Sequence, residues 1–100
     1  MIETDEIIYI HTILIEKFGG MKGIRDKNAL CSSLERPFQT FDAKELHPLA
    51  EQKAACLIES ILINHPFIDG NTRTGYLVMR LFLVSAGFDI IAAEEENILL

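Results

Sequence analysis

Positive charge is scarce in this chain. Nine lysines and arginines stand against 15 acidic residues in 100, a formal charge of −6 with the histidines neutral. That balance argues against a direct nucleic-acid partner, which would need clustered Lys and Arg. Cysteine is as thin. Cys31 and Cys56 sit alone in apolar surroundings without CxxC spacing. Neither a disulfide framework nor a zinc site is expected, and both read as packing thiols. Long hydrophobic runs are missing too: stretches such as Leu81 to Val84 fall far short of the ~20 residues that cross a bilayer. The opening Met1 to Glu6 is acidic where a signal peptide is basic. The expectation is a cytoplasmic protein with no membrane partner. Repeats and low-complexity tracts are absent. What is present is apolar: 49% hydrophobic against 24% charged residues excludes a disordered tail. The length leaves room for one core, hence a single domain over residues 1–100.

The pattern is helical throughout. Thr4 can cap a first helix over Asp5 to Phe18, with acidic residues in its first turn, where the macrodipole favours them. Ile7, Ile10, Leu14 and Phe18 recur at helical spacing, and Gly19-Gly20 stops the run. Asp26 can cap a shorter helix through Leu34, with Pro37 ending it. Pro48 suits the first position of a third helix. Its broad apolar face (Ala50, Ala54, Leu57, Ile58, Ile61, Leu62) makes it central, and Pro66 stops it near Asn64. A fourth helix runs from Asn71 to Ala86, with Tyr76, Leu77, Leu81, Phe82 and Val84 as its apolar surface and Gly87 closing it. Phe88 to Ile91 suggests an extended piece, and Glu94-Glu95-Glu96 the first turn of a fifth helix. That helix would be only one or two turns long at Leu100 and so marginal, which suggests C-terminal truncation. Between the second and third helices, Arg36 to His47 is long for a passive link and carries Phe38 and Phe41. It reads either as a functional flap or as two rings plugging the edge of the core.

The chemically informative stretch is His65-Pro66-Phe67-Ile68-Asp69-Gly70-Asn71-Thr72-Arg73-Thr74-Gly75, a polar link between the two most hydrophobic helices. A helix beginning near Asn71 presents unpaired N–H groups and a positive dipole end, which together suit an anion. Gly70 lets backbone approach a ligand. Arg73 in a first turn is unfavourable alone but sensible if it shares a phosphate with the helix end. Asp69 could hold a divalent cation bridging phosphates. His65 could take a proton from an attacking hydroxyl near neutral pH. Each has a plainer account: His65 as a cap of the third helix, Asp69 or Asn71 as a cap of the fourth, Asp69-Gly70 as a turn, Arg73 as a solvated residue. A His65–Asp69 metal pair is a further option, although Pro66 and Gly70 break the helix that would align it. Five such candidates (His65, Asp69, Gly70, Asn71 and Arg73) within nine residues favour a site.

This stretch resembles the signature of the Fic/Doc family, HPFx(D/E)GN, a variable residue, then Arg: His65-Pro66-Phe67, Asp69-Gly70-Asn71 and Arg73 all match. Asn71-Thr72-Arg73-Thr74 differs by one residue from the Asn-Lys-Arg-Thr usual in the Doc (death-on-curing) branch. Upstream, Ile10-His11, Phe18-Gly19-Gly20, Gly23-Ile24-Arg25-Asp26, Leu30, Leu34 and Arg36-Pro37-Phe38-Gln39-Thr40-Phe41 are also similar to Doc-type toxins. The resemblance implies an all-α, compact Fic-fold helical bundle with its active loop between the two central helices. It implies transfer of part of a nucleotide triphosphate such as ATP, with Mg²⁺, onto a Ser or Thr hydroxyl of a target protein. By that implication His65 is the general base and Asp69 orients Mg²⁺. Gly70, Asn71, Thr72 and Arg73 meet the nucleotide phosphates, and Phe67 anchors the loop. Arg36 to Leu46 would be the flap that aligns the target.

Two positions depart from the pattern. AMP-transferring members carry Gly at the place of Thr72 and a second Arg at the place of Tyr76, and Doc toxins carry Lys at the place of Thr72. Tyr76 cannot replace a guanidinium on a phosphate. The resemblance therefore points first to a Doc-like toxin that phosphorylates its target, for which the branch suggests a translation elongation factor. AMP transfer and a non-catalytic Fic-fold binding module are the alternatives. The inhibitory (S/T)xxxE(G/N) pattern of many Fic proteins finds no full match, since Thr12-Ile13-Leu14-Ile15-Glu16-Lys17 fails at its last position. Restraint would then come from an antitoxin segment folding as a helix into a surface groove.

Overall fold

In the computed structural model, which describes residues 2–88, four helices account for most of the chain. They are α1 (Thr4–Phe18), α2 (Lys27–Glu35), α3 (Ala50–Asn64) and α4 (Asn71–Ser85). The expected fifth helix at Glu94 lies outside the described residues, as does the extended piece beyond Phe88. The all-α expectation holds, with one addition. The link between α2 and α3 is a 3-10 turn, Arg36–Phe38, followed by an antiparallel hairpin of β1 (Thr40–Phe41) and β2 (Lys44–Glu45).

Local chemistry explains most boundaries. Gly19 ends α1 at φ 87°, its N–H bonded to Ile15 O at 2.8 Å. Asp26 caps α2, its Oδ1 accepting from the Ala29 N–H at 3.0 Å. Pro37 ends α2 as expected, following directly on the helix's Arg36 C-cap. It lies buried in the 3-10 turn, near whose start a missing N–H leaves no bond unmade. Two expected starts differ. Thr4 is the first helical residue of α1 rather than its cap, and its hydroxyl faces Cys31 Sγ on α2 at 3.6 Å. Pro48 stands two residues ahead of α3. Leu49 is extended at the N-cap instead, and Gln52 Oε1 accepts from its N–H at 3.1 Å.

The core gathers Ile7, Leu30, Leu34, Leu57, Ile61, Phe67 and Val78 from all four helices and the α3–α4 loop. The α3 helix packs against α2, α4 and the 3-10 turn, as its broad apolar face predicts. On α4 the buried positions are Asn71, Thr74, Gly75 and Val78. The expected Leu81 and Val84 are about half exposed. The small residues decide this. A Cβ on Gly75 would lie 3.3 Å from Ile61 Cγ2, so α4 turns its small face to α3 and lets the two backbones approach closely.

The hairpin turns through Asp42 (φ 53°) and Ala43 (φ 61°), the left-handed pair a two-residue turn requires. Its two aromatic neighbours part company. Phe38 packs edge-on against Phe82, centroids 5.9 Å apart, while Phe41 is 76% exposed. At the hairpin's root, Lys53 of α3 reaches Glu45 Oε1 at 3.0 Å and donates to the His47 carbonyl.

Candidate functional site

The loop between α3 and α4 begins with an unusual residue. His65 has φ 45° and ψ 59°, left-handed and immediately before Pro66. It caps α3 through its backbone, its N–H bonded to Ile61 O at 3.1 Å, and its side chain stands exposed. From Pro66 onward the loop is stitched to the segment before α2. Pro66 O accepts from the N–H groups of Arg25 (2.8 Å) and Asp26 (3.0 Å), and Ile68 N–H donates to Gly23 O at 3.1 Å.

Phe67 is the buried anchor, 1% exposed. Its ring stacks on His11 of α1, centroids 3.8 Å apart and 5° from parallel. His11 Nε2 lies 2.7 Å from the Asp69 carbonyl oxygen and must donate to it, since that oxygen can only accept. Asn71 closes the loop from the other side. Its Oδ1 accepts from Phe67 N–H at 3.0 Å and its Nδ2 donates to Phe67 O at 2.9 Å. The Asn71 side chain is therefore committed to the loop, and what it turns towards the cleft is backbone. Nor does it cap α4: Gly70, at φ 73°, holds that position without any side-chain cap.

The first intrahelical bond of α4 runs from Thr74 N–H to Gly70 O at 3.0 Å. The N–H groups of Asn71, Thr72 and Arg73 precede it. With no side chain on them, they form the uncapped positive end that suits an anion. Beside them, the Asp69 carboxylate accepts from Met21 N–H (3.0 Å) and Gly70 N–H (2.8 Å). These two N–H groups hold its pKa below the ordinary carboxylate value, with His11 a lesser cause. Gly20 makes the Met21 contact possible, since a Cβ there would stand 2.8 Å from Asp69 Oδ2.

These residues meet in one open cleft of about 740 Å³, lined by His65, Asp69, Gly70, Asn71, Thr72, Arg73 and Tyr76, with Gly19, Ile58 and Ile68 at its walls. His65 and the run from Asp69 to Arg73 all border it, while Phe67 stays buried beneath. The Asp69 carboxylate fits Mg²⁺: it is an exposed, ionised, hard donor, and each oxygen keeps lone pairs beyond its one N–H bond. No trio of His, Cys, Asp and Glu is placed to cage a metal among the described residues. An ion here would complete its shell with phosphate oxygens and water, the usual habit of Mg²⁺.

Three residues outside the loop, named above only for their likeness to Doc-type toxins or their helical spacing, take part in it. His11 was visible in principle, since Ile7, His11 and Ile15 recur every four residues and all three are buried. Phe18, whose ring underlies Arg73, and the Arg25 guanidinium, which bonds the end of α3, left no local signal. Their partners lie 39 or more residues away in sequence.

The helical fold and this loop define a Fic-type domain, and the chain belongs to the Fic/DOC family, whose model matches residues 1–83. A curated relative is Toxin Doc of Mycolicibacterium smegmatis (strain ATCC 700084 / mc(2)155), 34% identical over 84 residues. The match covers 78% of this chain and 65% of the relative, so the chain spans less than two thirds of that protein's length. No solved structure matches. Among the described residues no helix is long and apolar enough to cross a membrane.

Proposed function

We propose that this protein is a Doc-like toxin of a toxin–antitoxin pair. It transfers the terminal phosphoryl group of ATP, or another nucleotide triphosphate, to a Ser or Thr hydroxyl of a target protein in the cytoplasm. A translation elongation factor is the target the family suggests. The observation that carries the reading is the convergence of His65, Asp69, Arg73 and the bare end of α4 on one cleft.

In this reading the triphosphate lies against the Asn71, Thr72 and Arg73 N–H groups and the Arg73 guanidinium. Thr72 adds a hydroxyl donor. Mg²⁺, held by Asp69 and the phosphates, supplies charge neutralisation when bound. A ring nitrogen of His65 takes the proton from the attacking hydroxyl. The hydroxyl oxygen bonds to the terminal phosphorus, the bond from that phosphorus to the bridging oxygen breaks, and the nucleoside diphosphate leaves. Such a reaction asks mainly for positioning and charge stabilisation. The exposed hairpin is the flap that aligns the target, and an antitoxin segment in a surface groove restrains the toxin. Tyr76 at the cleft wall, where AMP-transferring relatives carry Arg, favours phosphoryl over AMP transfer.

Incubation with ATP, Mg²⁺ and cell extract is expected to add one phosphoryl mass to a protein, and His65→Ala to abolish it. An added AMP mass would turn the reading to nucleotide transfer. Identical spectra for wild type and His65→Ala would leave only a binding module.

A further inference from the structure

We propose that Arg25 is a positioning residue that fixes the backbone of His65 and so aims its imidazole into the cleft. Three consecutive carbonyls at the end of α3 are gripped from one short segment. The Arg25 guanidinium donates from Nε to the His65 carbonyl at 2.6 Å and from Nη2 to the Asn64 carbonyl. The backbone N–H groups of Arg25 and Asp26 take the next carbonyl, that of Pro66, at 2.8 and 3.0 Å. No carboxylate pairs with Arg25 among the described residues, so its fork serves this helix end.

The residue at the centre of that grip is the one whose backbone most needs holding. His65 sits at φ 45° and ψ 59°, a region that non-glycine residues seldom enter and keep only when their surroundings over-determine it. The following proline draws a residue towards extended geometry. Without the guanidinium, the Asn64 and His65 carbonyls can turn to water and His65 can relax to the extended form. Its side chain then leaves its place in the cleft that Asp69 also lines. The phosphate end of the site hangs from other bonds: Met21 N–H and Gly70 N–H on the Asp69 carboxylate, His11 on its carbonyl, and Asn71 on Phe67. Loss of Arg25 thus separates proton removal from nucleotide binding. The catalytic half of this inference rests on His65 being the base proposed above, and its structural half does not.

The test compares wild type with Arg25→Met and Arg25→Lys. It measures the transfer rate at saturating ATP, the Kd for ATP with Mg²⁺, the melting temperature, and the nitrogen-15 ring signals of the three histidines. Arg25→Met is expected to lower kcat about 10–100-fold with the ATP Kd unchanged. Arg25→Lys should recover part of the rate, because one ammonium reaches a carbonyl but cannot fork across two. An unchanged kcat overturns the proposal. So does a fall in rate, affinity and melting temperature together, which marks a merely structural role. A wild type that transfers nothing sinks the enzymatic reading, and the ring signals then decide. Shifted or broadened His65 signals in Arg25→Met, with His11 and His47 unmoved, support the positioning role, and unaltered His65 signals overturn it. Should Arg25→Met fail to fold, Arg25→Lys is judged by the same signs, with smaller changes.

Discussion

The Arg73 guanidinium carbon lies 4.3 Å from the centroid of the Phe18 ring. The last residue of α1 thereby supports the first turn of α4. Lys17 Nζ stands 5.9 Å from the same ring, so two cations gather about one aromatic at the rim. An arginine near a helix N-terminus is repelled by the dipole there, and the ring's negative face offsets that repulsion.

Phe18→Leu keeps the apolar bulk and removes the ring. A cation–π contact at an exposed site contributes ~0.5–1 kcal/mol, so ATP affinity should fall roughly two- to fivefold. Phe18→Tyr should bind as wild type does. Calorimetric titration reads both, and an undiminished affinity in Phe18→Leu would mean that α4 alone orients Arg73.

Asn71→Ala strips the partners of the buried Phe67 N–H and carbonyl together. At ~1–3 kcal/mol for each of the two orphaned groups, the loss should total about 2–6 kcal/mol in urea unfolding. Asn71→Asp keeps the acceptor for Phe67 N–H but turns a second oxygen against Phe67 O. It should also destabilise, and more so once ionised. Wild-type stability in Asn71→Ala would show that the stack of Phe67 on His11 is enough to hold the loop.

Asp69 makes a pH-dependent contribution of defined sign. Its folded pKa is depressed by the Met21 and Gly70 N–H groups. The stabilisation is therefore complete above the unfolded value of 3.8 and is lost as pH falls through the lowered folded value. Asp69→Asn should flatten that part of the acid limb when urea stability is followed from pH ~5 to ~2. Parallel limbs for the two proteins would contradict the assignment.

Ala43→Gly should stabilise the hairpin. Ala43 sits at φ 61°, where a Cβ costs about 1–2 kcal/mol that glycine avoids, partly offset by glycine's greater freedom in the unfolded chain. A net gain of roughly 0.5–1 kcal/mol is expected, read as a rise in melting temperature. A fall would mean that the turn relaxes from this geometry in solution.

The helices were legible because their signals are local. Gly19 after a periodic run, Asp26 ahead of another and Pro66 after α3 act within a turn of where they stand, and each boundary lies where that chemistry puts it. The loop's chemistry was legible for the same reason: its residues are consecutive, and folding one turn brings them to one cleft. The hairpin was not. Asp42-Ala43 lacks the glycine that marks a two-residue turn, and two residues per strand show no alternation. Leu81 and Val84 misled because hydrophobicity was read as inward-facing, whereas Thr74 and Gly75 are small enough to set the seam of α4 with α3. The Asn71 side chain carried a fitting chemistry for phosphate. Its capture by Phe67 depends on the loop's path, which no spacing along the chain encodes.

Lys53 holds the β2 end of the hairpin through Glu45 and the His47 carbonyl, while Phe41 stands free at the far end. The hairpin is thus a cantilever, moored at its root and exposed at its tip. An incoming polypeptide that grips the tip has only a few side chains to immobilise, because the backbone beneath is already set. Association there forfeits little conformational entropy, and Lys53→Met, by slackening the mooring, should raise that entropic toll without touching any surface the newcomer meets.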